Sequence, residues 1–261
     1  MKLIHTADLH LDSVLEANLD PALAAKRRRE LLLTFERMVS YAAENGVSVI
    51  LIAGDLFDTS RPAPDAEQYV LSVIADHPGI DFLILSGNHG GAYAPYDPPR
   101  NYHTFSDRDF TVYKYGNVTI AGSENNAAFG ILPALDPGDL NIVTLHGALT
   151  DSTSDLTGIN LKFYRGRNID YLALGHYHAY RKEALDDRGV WCYCGTPEGR
   201  GFDETGEKGF VLIDTAGGKL SSVFIPFAKR QIRQITVDIS RLFSQRDIEK
   251  AVTTALAGIP Q

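Results

Sequence analysis

Residues 48–58 read Ser-Val-Ile-Leu-Ile-Ala-Gly-Asp-Leu-Phe-Asp. The apolar run that follows Ser48 has the length and composition typical of a strand buried on both faces. Gly54 ends the run, and two acidic residues, Asp55 and Asp58, follow it within four positions. We predict further short buried strands over 2–5, 81–85, 141–145 and 170–174.

Two helices are predicted between the first three strands. The stretch 21–44 carries apolar residues at three-to-four spacing and stops before Asn45-Gly46, a helix-ending signal. A second helix is predicted over 64–76. The resulting order of strand, helix, strand, helix and strand is typical of an α/β domain.

The pattern changes after Tyr177, where short β-prone runs alternate with turn signals. We predict that the runs 180–185, 190–193, 209–214 and 220–226 form a second, mostly antiparallel sheet packed on the first. A further strand is predicted over 232–239. An amphipathic helix is predicted over 244–256, with Ser244 as its N-cap.

Composition and charge restrict the class of protein. The chain has 261 residues, of which 44% are hydrophobic and 22% are charged, as in an ordinary globular protein. Neither a signal peptide nor an apolar stretch near the ~20 residues of a membrane span is evident. The only two cysteines, Cys192 and Cys194, fit a reducing compartment. We therefore expect a cytoplasmic protein with no membrane partner.

The net charge of −8 argues against a protein that coats nucleic acid by bulk positive charge. It is compatible with a nuclease, because bound metal ions can neutralise an acidic site and meet phosphate there. Arg61 and the basic run 26–29 are candidates for contacts with a phosphate backbone.

Polar motifs follow the predicted strands. They are Asp8-Leu9-His10, Gly54-Asp55, Gly87-Asn88-His89, His146-Gly147 and Gly175-His176-Tyr177-His178. Ligands bind at the carboxyl ends of strands in open α/β sheets, so we expect these motifs to converge. Each motif alone is more often structural, but together they hold five of the eight histidines. His5, His77 and His103 are assigned structural roles.

The converging side chains form a mixed oxygen and nitrogen donor set. Imidazole donors suit manganese, iron, zinc or nickel, whereas an all-oxygen site would favour magnesium or calcium. Seven donors exceed the needs of one tetrahedral ion but serve two ions if one carboxylate bridges them. Two ions about 3.5–4 Å apart form a clamp used on phosphate esters. The seven are Asp8, His10, Asp55, Asn88, His146, His176 and His178.

The order of these motifs resembles the calcineurin-like metallophosphoesterases over roughly residues 1–240. The stretches 5–13, 54–58 and 196–202 look like the SbcD/YhaO-type DNA-repair exonucleases in particular. The resemblance implies a four-layer αββα sandwich of two mixed β-sheets flanked by helices. It also implies two divalent metal ions, commonly manganese in this branch, with iron, zinc, nickel and magnesium as alternatives.

The resemblance further implies a role for each site residue. One ion would be held by Asp8, His10, Asp55 and His178, and the other by the bridging Asp55 with Asn88, His146 and His176. His89 would be catalytic rather than a ligand, protonating the leaving oxygen or stabilising its charge. Asp58 would orient the loop or a ligand histidine.

Two departures from the branch affect the expected function. Gly90 stands where an acid usually follows Gly-Asn-His, so we expect weaker catalysis that Gly90→Asp would restore. The second departure is that only residues 229–261 follow the predicted catalytic domain of residues 1–228, where this branch usually carries a DNA-binding cap. Residues 229–261 are predicted to be the start or remnant of a C-terminal DNA-binding cap.

We therefore expect a di-metal phosphodiesterase that acts as a DNA exonuclease in DNA repair, with endonuclease action left open. A metal-activated hydroxide would attack the phosphodiester and His89 would assist. The expected partners are DNA, an SbcC-like ATPase and a second copy of the chain. The alternatives are a small-molecule or cyclic-nucleotide phosphodiesterase, and a weakly active metal-binding scaffold for the ATPase. Thr59 and Gly90 argue against a phosphoprotein phosphatase.

Overall fold

The computed structural model describes residues 1–15, 19–89, 93–152, 154–155, 157–257 and 259. Among these, twelve strands and three α-helices are present. The strands are β1 (Lys2–Thr6), β2 (Val47–Ile52), β3 (Asp81–Ile84), β4 (Tyr102–Thr104), β5 (Thr111–Tyr115), β6 (Val118–Gly122), β7 (Leu140–His146), β8 (Tyr171–Gly175), β9 (Arg181–Ala184), β10 (Val190–Tyr193), β11 (Gly209–Asp214) and β12 (Ser221–Pro226). The helices are α1 (Pro21–Glu44), α2 (Pro64–Ala75) and α3 (Gln245–Ala257).

The strands form two six-stranded mixed sheets, in the orders β12-β11-β1-β2-β3-β4 and β5-β6-β7-β8-β10-β9. Strands β1 to β4 are parallel, and β11 and β12 add an antiparallel edge to them. In the second sheet β6, β7, β8 and β10 are parallel, whereas β5 and β9 are antiparallel edge strands.

The prediction of a separate antiparallel sheet after Tyr177 is wrong. Strands β9 and β10 extend the second sheet, and β11 and β12 extend the first. The reason is that β11 pairs with β1, with His5 opposite Val211. Local patterns reveal that a strand exists but not which distant strand will accept its hydrogen bonds.

Helix α1 has the bounds that the sequence predicts, and α2 ends one residue earlier than predicted. The Asp20 side chain caps α1 by accepting hydrogen bonds from the backbone N–H groups of Ala22 and Leu23. Both helices pack on the outer face of the first sheet. Their contact with it is made by fully buried side chains such as Phe35, Val70, Ile50 and Phe82.

A second core fills the space between the sheets, where Leu3, Val49 and Leu51 meet Ile142 and Tyr171. On the outer face of the second sheet, side chains such as Leu172 and Trp191 are covered by loops and by the short 3-10 segment Leu161–Phe163. The four-layer α/β sandwich of two mixed sheets is thus confirmed. Among the described residues, the layer that covers the outer face of the second sheet contains no α-helix.

The C-terminal segment is largely exposed. The strand predicted over 232–239 is wrong, because only Ile232 forms a bridge, with Gly206. Helix α3 is present within one residue of the predicted bounds, and the Asp247 N–H donates to the Ser244 hydroxyl as an N-cap contact. None of its described residues is buried, and Leu256 is 52% exposed. Within the described ranges, none of the helices combines the length and apolar character needed to cross a bilayer.

Candidate metal centre

The predicted ligands lie at one edge of the two sheets, where parallel strands end. Asp8 and His10 follow β1, Asp55 follows β2, Asn88 follows β3, His146 ends β7, and His176 and His178 follow β8. Four of these residues have left-handed backbone, with φ of 53° at Asp8, 46° at His10, 53° at Asp55 and 106° at His176. This conformation costs about 1–2 kcal/mol for each residue with a side chain. Such strain concentrates at functional sites, where tight turns aim side chains at one point.

Glycines allow the ligands to approach one another. A Cβ added at Gly54 would lie 2.0 Å from Nδ1 of His146, and one at Gly87 would lie 2.2 Å from Oδ1 of Asp55. Both glycines also have positive φ, 101° and 78°. The two Gly-containing motifs therefore supply bare backbone against which ligand side chains of neighbouring strands pack.

The first group of donors contains Asp8, His10, Asp55 and His178. Nε2 of His178 is 4.0 Å from Oδ1 of Asp8, and Nε2 of His10 is 3.9 Å from Oδ2 of Asp55. The rings of His10 and His178 are 5.3 Å apart. Nε2 of His10 is buried and has no hydrogen-bond partner in the part of the chain that the structure describes. A buried nitrogen without a partner, aimed at carboxylates, fits a cation between them.

The second group contains Asp55, Asn88, His146 and His176. Nε2 of His146 lies 2.6 Å from Oδ1 of Asn88 and 3.2 Å from Oδ2 of Asp55, and Nδ1 of His176 lies 3.1 Å from the same Asn88 oxygen. Nδ1 of His146 lies 2.8 Å from the carbonyl oxygen of Ala53, to which it donates. That hydrogen bond leaves Nε2 as the atom facing two oxygen acceptors. A proton or a metal ion is needed to hold these atoms together, so the group also fits a cation.

Other acids orient two of the histidines. Oδ1 of Asp58 is 2.5 Å from Nδ1 of His10, and Oε1 of Glu204 is 2.6 Å from Nδ1 of His178. A carboxylate on one imidazole nitrogen fixes the ring and makes the other nitrogen a better metal donor. Asp58 is thus placed where the predicted orienting role requires it. Glu204 was not predicted as a partner of His178. In the sequence it is only an acid two residues after the 196–202 stretch, with nothing that connects it to a histidine 26 positions earlier.

Burial and charge shift the pKa values in opposite directions. Burial raises the pKa of the Asp8 carboxyl above its ordinary value. Burial also acts to raise the pKa of Asp55, but the hydrogen bond and charge of His146 outweigh it and leave that pKa lowered. For Asp58 and Glu204, burial is again outweighed, by hydrogen bonds from histidines, and each pKa falls to about 2. The lowered pKa values keep Asp55, Asp58 and Glu204 negatively charged at neutral pH, and a cation would neutralise part of that charge.

Backbone hydrogen bonds hold the two buried carboxylates in place. The His176 N–H donates to both oxygens of Asp8 at 3.0 Å, and the His89 N–H donates to Oδ1 of Asp55 at 2.9 Å. The His89 side chain is exposed, with its ring 5.2 Å from that of His10. Its nitrogen also lies close to the donor atoms of His10 and Asp58. Gly90, the position of the expected missing acid, lies outside the described residues.

The remaining histidines have partners elsewhere. Nδ1 of His5 is 2.9 Å from the Tyr171 hydroxyl inside the core, and burial lowers the His5 pKa to about 3. Nδ1 of His77, just beyond the end of helix α2, lies 2.7 Å from the carbonyl oxygen of Val73 in that helix. Nε2 of His103 is 3.5 Å from Asp81. None of the three lies with the predicted ligands.

Arg27 does not fit the proposed phosphate contacts of the 26–29 run. It is 8% exposed, and its guanidinium donates to Glu30 at 2.5 Å and to the carbonyl oxygen of Gly199 at 2.6 Å. The amphipathic spacing of α1 turns this one arginine towards the body of the protein. Its role is therefore to attach α1 to the loop after β10.

Comparisons with known proteins identify the family to which the chain is similar. A family model described as calcineurin-like phosphoesterase matches residues 1–190. The uncharacterized metallophosphoesterase YhaO of Bacillus subtilis strain 168 is 29% identical over 246 residues, which cover 85% of this chain and 59% of that protein. The DNA double-strand break repair protein Mre11 of Methanopyrus kandleri is 27% identical over 255 residues, covering 84% of this chain and 55% of that protein. The chain thus spans less than two thirds of these relatives' length.

A solved structure supports the fold alone. The protein TT1561 of Thermus thermophilus superposes with a TM-score of 0.52 at 14% identity, covering 85% of this chain and 98% of that one.

Proposed function

Because this chain belongs to the calcineurin-like phosphoesterases and is a metal-dependent hydrolase, we propose that it is a di-metal phosphodiesterase that acts as a DNA exonuclease in repair. The observation that carries the proposal is the pair of donor groups that share Asp55, one extending through His10 and the other through His146. The similarity to a protein named for double-strand break repair supports DNA as the substrate.

Each residue of the centre has a proposed role in holding or orienting the metal ions. Asp8, His10, Asp55 and His178 would hold one ion, and Asp55, Asn88, His146 and His176 the other. Two such ions, for which we propose manganese, supply Lewis acidity towards a phosphate ester and lower the pKa of water. Asp58 and Glu204 keep His10 and His178 turned towards the centre.

His89 is proposed as the group that assists the leaving oxygen. Its side chain is exposed beside His10, while its backbone N–H is held by Asp55. The imidazole can therefore reach a substrate without being committed to a partner in the core. A proton delivered to the leaving oxygen contributes typically 10²–10⁴-fold to rate.

A cavity of about 1310 Å³ opens beside His178, and its lining also includes the acids Asp203 and Glu204. We propose that DNA enters it to reach the centre. Its lining is partly cationic and includes Arg200, Lys229, Arg230 and Arg233, together with the exposed Phe202. We propose that residues 229–261, which contribute to this wall, begin a DNA-binding cap on a catalytic domain of residues 1–228. An SbcC-like ATPase and a second copy of the chain are proposed partners, and the cytoplasm is the proposed location.

The proposal is tested by comparing linear and covalently closed circular duplex DNA with manganese present. An exonuclease degrades the linear form and leaves the circle intact. Nicking of the circle would show endonuclease action. Hydrolysis of a bis-aryl phosphate with neither DNA attacked would overturn the DNA assignment and favour a small-molecule diesterase. A mono-aryl phosphate is the control for phosphomonoesterase activity.

A further inference from the structure

Arg200 contacts both carboxylates that orient the histidines. Its Nη1 donates to the Ser13 hydroxyl at 2.7 Å and lies 3.3 Å from Oδ1 of Asp58. Its Nε lies 3.8 Å from Oε1 of Glu204, and its backbone N–H donates to Oε2 of that residue at 2.7 Å. The side chain is 17% exposed, so water screens these contacts only in part.

The carboxylates in turn contact two neighbouring imidazoles. Asp58 lies on Nδ1 of His10, and Glu204 lies on Nδ1 of His178. These are the two histidines assigned to the first ion. The histidines of the second ion have different partners, since Nδ1 of His146 is held by the Ala53 carbonyl and Nδ1 of His176 lies on Asn88. Arg200 therefore connects to one half of the centre only.

We infer that Arg200 is a positioning residue, which selectively supports the ion held through His10 and His178 by bridging Asp58 and Glu204. The inference rests on the proposed ligand assignment. The guanidinium places one positive charge next to both carboxylates, at 3.3 Å from Asp58 and 3.8 Å from Glu204, and the backbone N–H of Arg200 adds a hydrogen bond to Glu204. A lysine could supply the charge but not the planar fork that spans two acids.

The test is a manganese titration by calorimetry, with Arg200→Met, Arg200→Lys and the matched control Arg188→Met. Arg188 also pairs with a carboxylate, donating to both oxygens of Asp170 at 3.0 and 2.9 Å. Asp170 directly precedes β8, whereas the ligands follow that strand, so the control lies at the opposite end of the sheet. Thermal unfolding of each metal-free protein is measured alongside, because it reports general loss of structure.

In Arg200→Met, the affinity of one manganese site is expected to fall by roughly 10- to 100-fold, with the other site within about twofold of wild type. Electron paramagnetic resonance at a manganese concentration that fills both wild-type sites is then expected to show isolated ions in the variant where the wild type shows a spin-coupled pair. Arg200→Lys is expected to lie between wild type and Arg200→Met. Arg188→Met is expected to keep both affinities whatever its unfolding temperature.

Several results would overturn the inference. One is that Arg200→Met leaves both manganese affinities unchanged, and another is that it lowers the affinity of both sites equally. A third is that Arg188→Met loses the same manganese affinity when its unfolding temperature falls by the same amount. If Arg200→Met does not fold, the lysine variant decides, because it keeps the charge and most of the bulk. The titration uses no DNA, so selective weakening of one ion in a protein that degrades no DNA would refute the proposed function alone. Wild-type protein that binds no manganese would refute both.

Discussion

Gly54 and His146 are so close that a Cβ on the glycine would lie 2.0 Å from Nδ1 of the imidazole. Gly54 follows β2 in the first sheet, whereas His146 ends β7 in the second. Nδ1 of His146 also donates to the carbonyl oxygen of Ala53, the residue just before the glycine. The two sheets therefore meet at the centre with only backbone between them, and each sheet supplies part of the donor set.

Gly54→Ala is predicted to destabilise the protein far more than Gly46→Ala. Both positions have positive φ, 101° and 67°, but a Cβ on Gly46 meets nothing within 4 Å. The control should therefore cost only the left-handed strain, about 1 kcal/mol. Gly54→Ala adds a clash with His146, for a total of about 3 kcal/mol. Urea unfolding of the metal-free proteins measures both values, and equal costs would contradict the close packing.

His89→Gln is predicted to slow turnover without weakening metal binding. Glutamine keeps the backbone N–H that donates a hydrogen bond to Asp55, but its side chain cannot deliver a proton to a leaving oxygen. The loss of kcat should be about 10²-fold or more on DNA, whose leaving oxygen needs a proton. It should be much smaller on a bis-aryl phosphate, because an aryl oxide leaves without one. A parallel loss of manganese affinity would instead identify His89 as a ligand.

Glu30→Gln is predicted to flatten the loss of stability in acid. Hydrogen bonds from Arg230 and Arg27 to this buried carboxylate lower its pKa to about 2. A lowered pKa means that the stabilisation is complete above the unfolded-state pKa of about 4.5 and disappears as the pH falls towards 2. The carboxylate should contribute on the order of 2 kcal/mol at neutral pH.

Urea unfolding between pH 6 and pH 3 provides the measurement. The wild type should lose stability across that range more steeply than Glu30→Gln, which should be less stable at pH 6. Parallel pH profiles for the two proteins would contradict the assigned role of Glu30.

The sequence predicts what depends on neighbouring residues. The bounds of α1 follow from its apolar spacing, its proline start and the Asn45-Gly46 ending. The positions of Asp8, Asp55 and Asn88 follow from the ends of three buried strands. The structure brings Asp8 and Asp55 together with His146, which in turn contacts Asn88.

The parts that were missed depend on contacts between distant residues. The pairing of β1 with β11 joins His5 to Val211, a relation that no local pattern contains. Glu204 reaches His178 because the chain after β10 folds back across the centre, so its role appears only in three dimensions. The predicted strand over 232–239 has a suitable alternation of residues but meets no sheet edge beyond the bridge at Ile232.

The most direct test of the account follows end-labelled linear DNA in manganese with wild-type protein and Asp55→Asn. Asp55 belongs to both donor groups, so its loss should disturb both ions. The account predicts degradation by the wild type that a chelator abolishes, and a rate at least roughly 10³-fold lower for Asp55→Asn. Degradation that persists in chelator, or at the wild-type rate in Asp55→Asn, would contradict a nuclease centre built on this carboxylate.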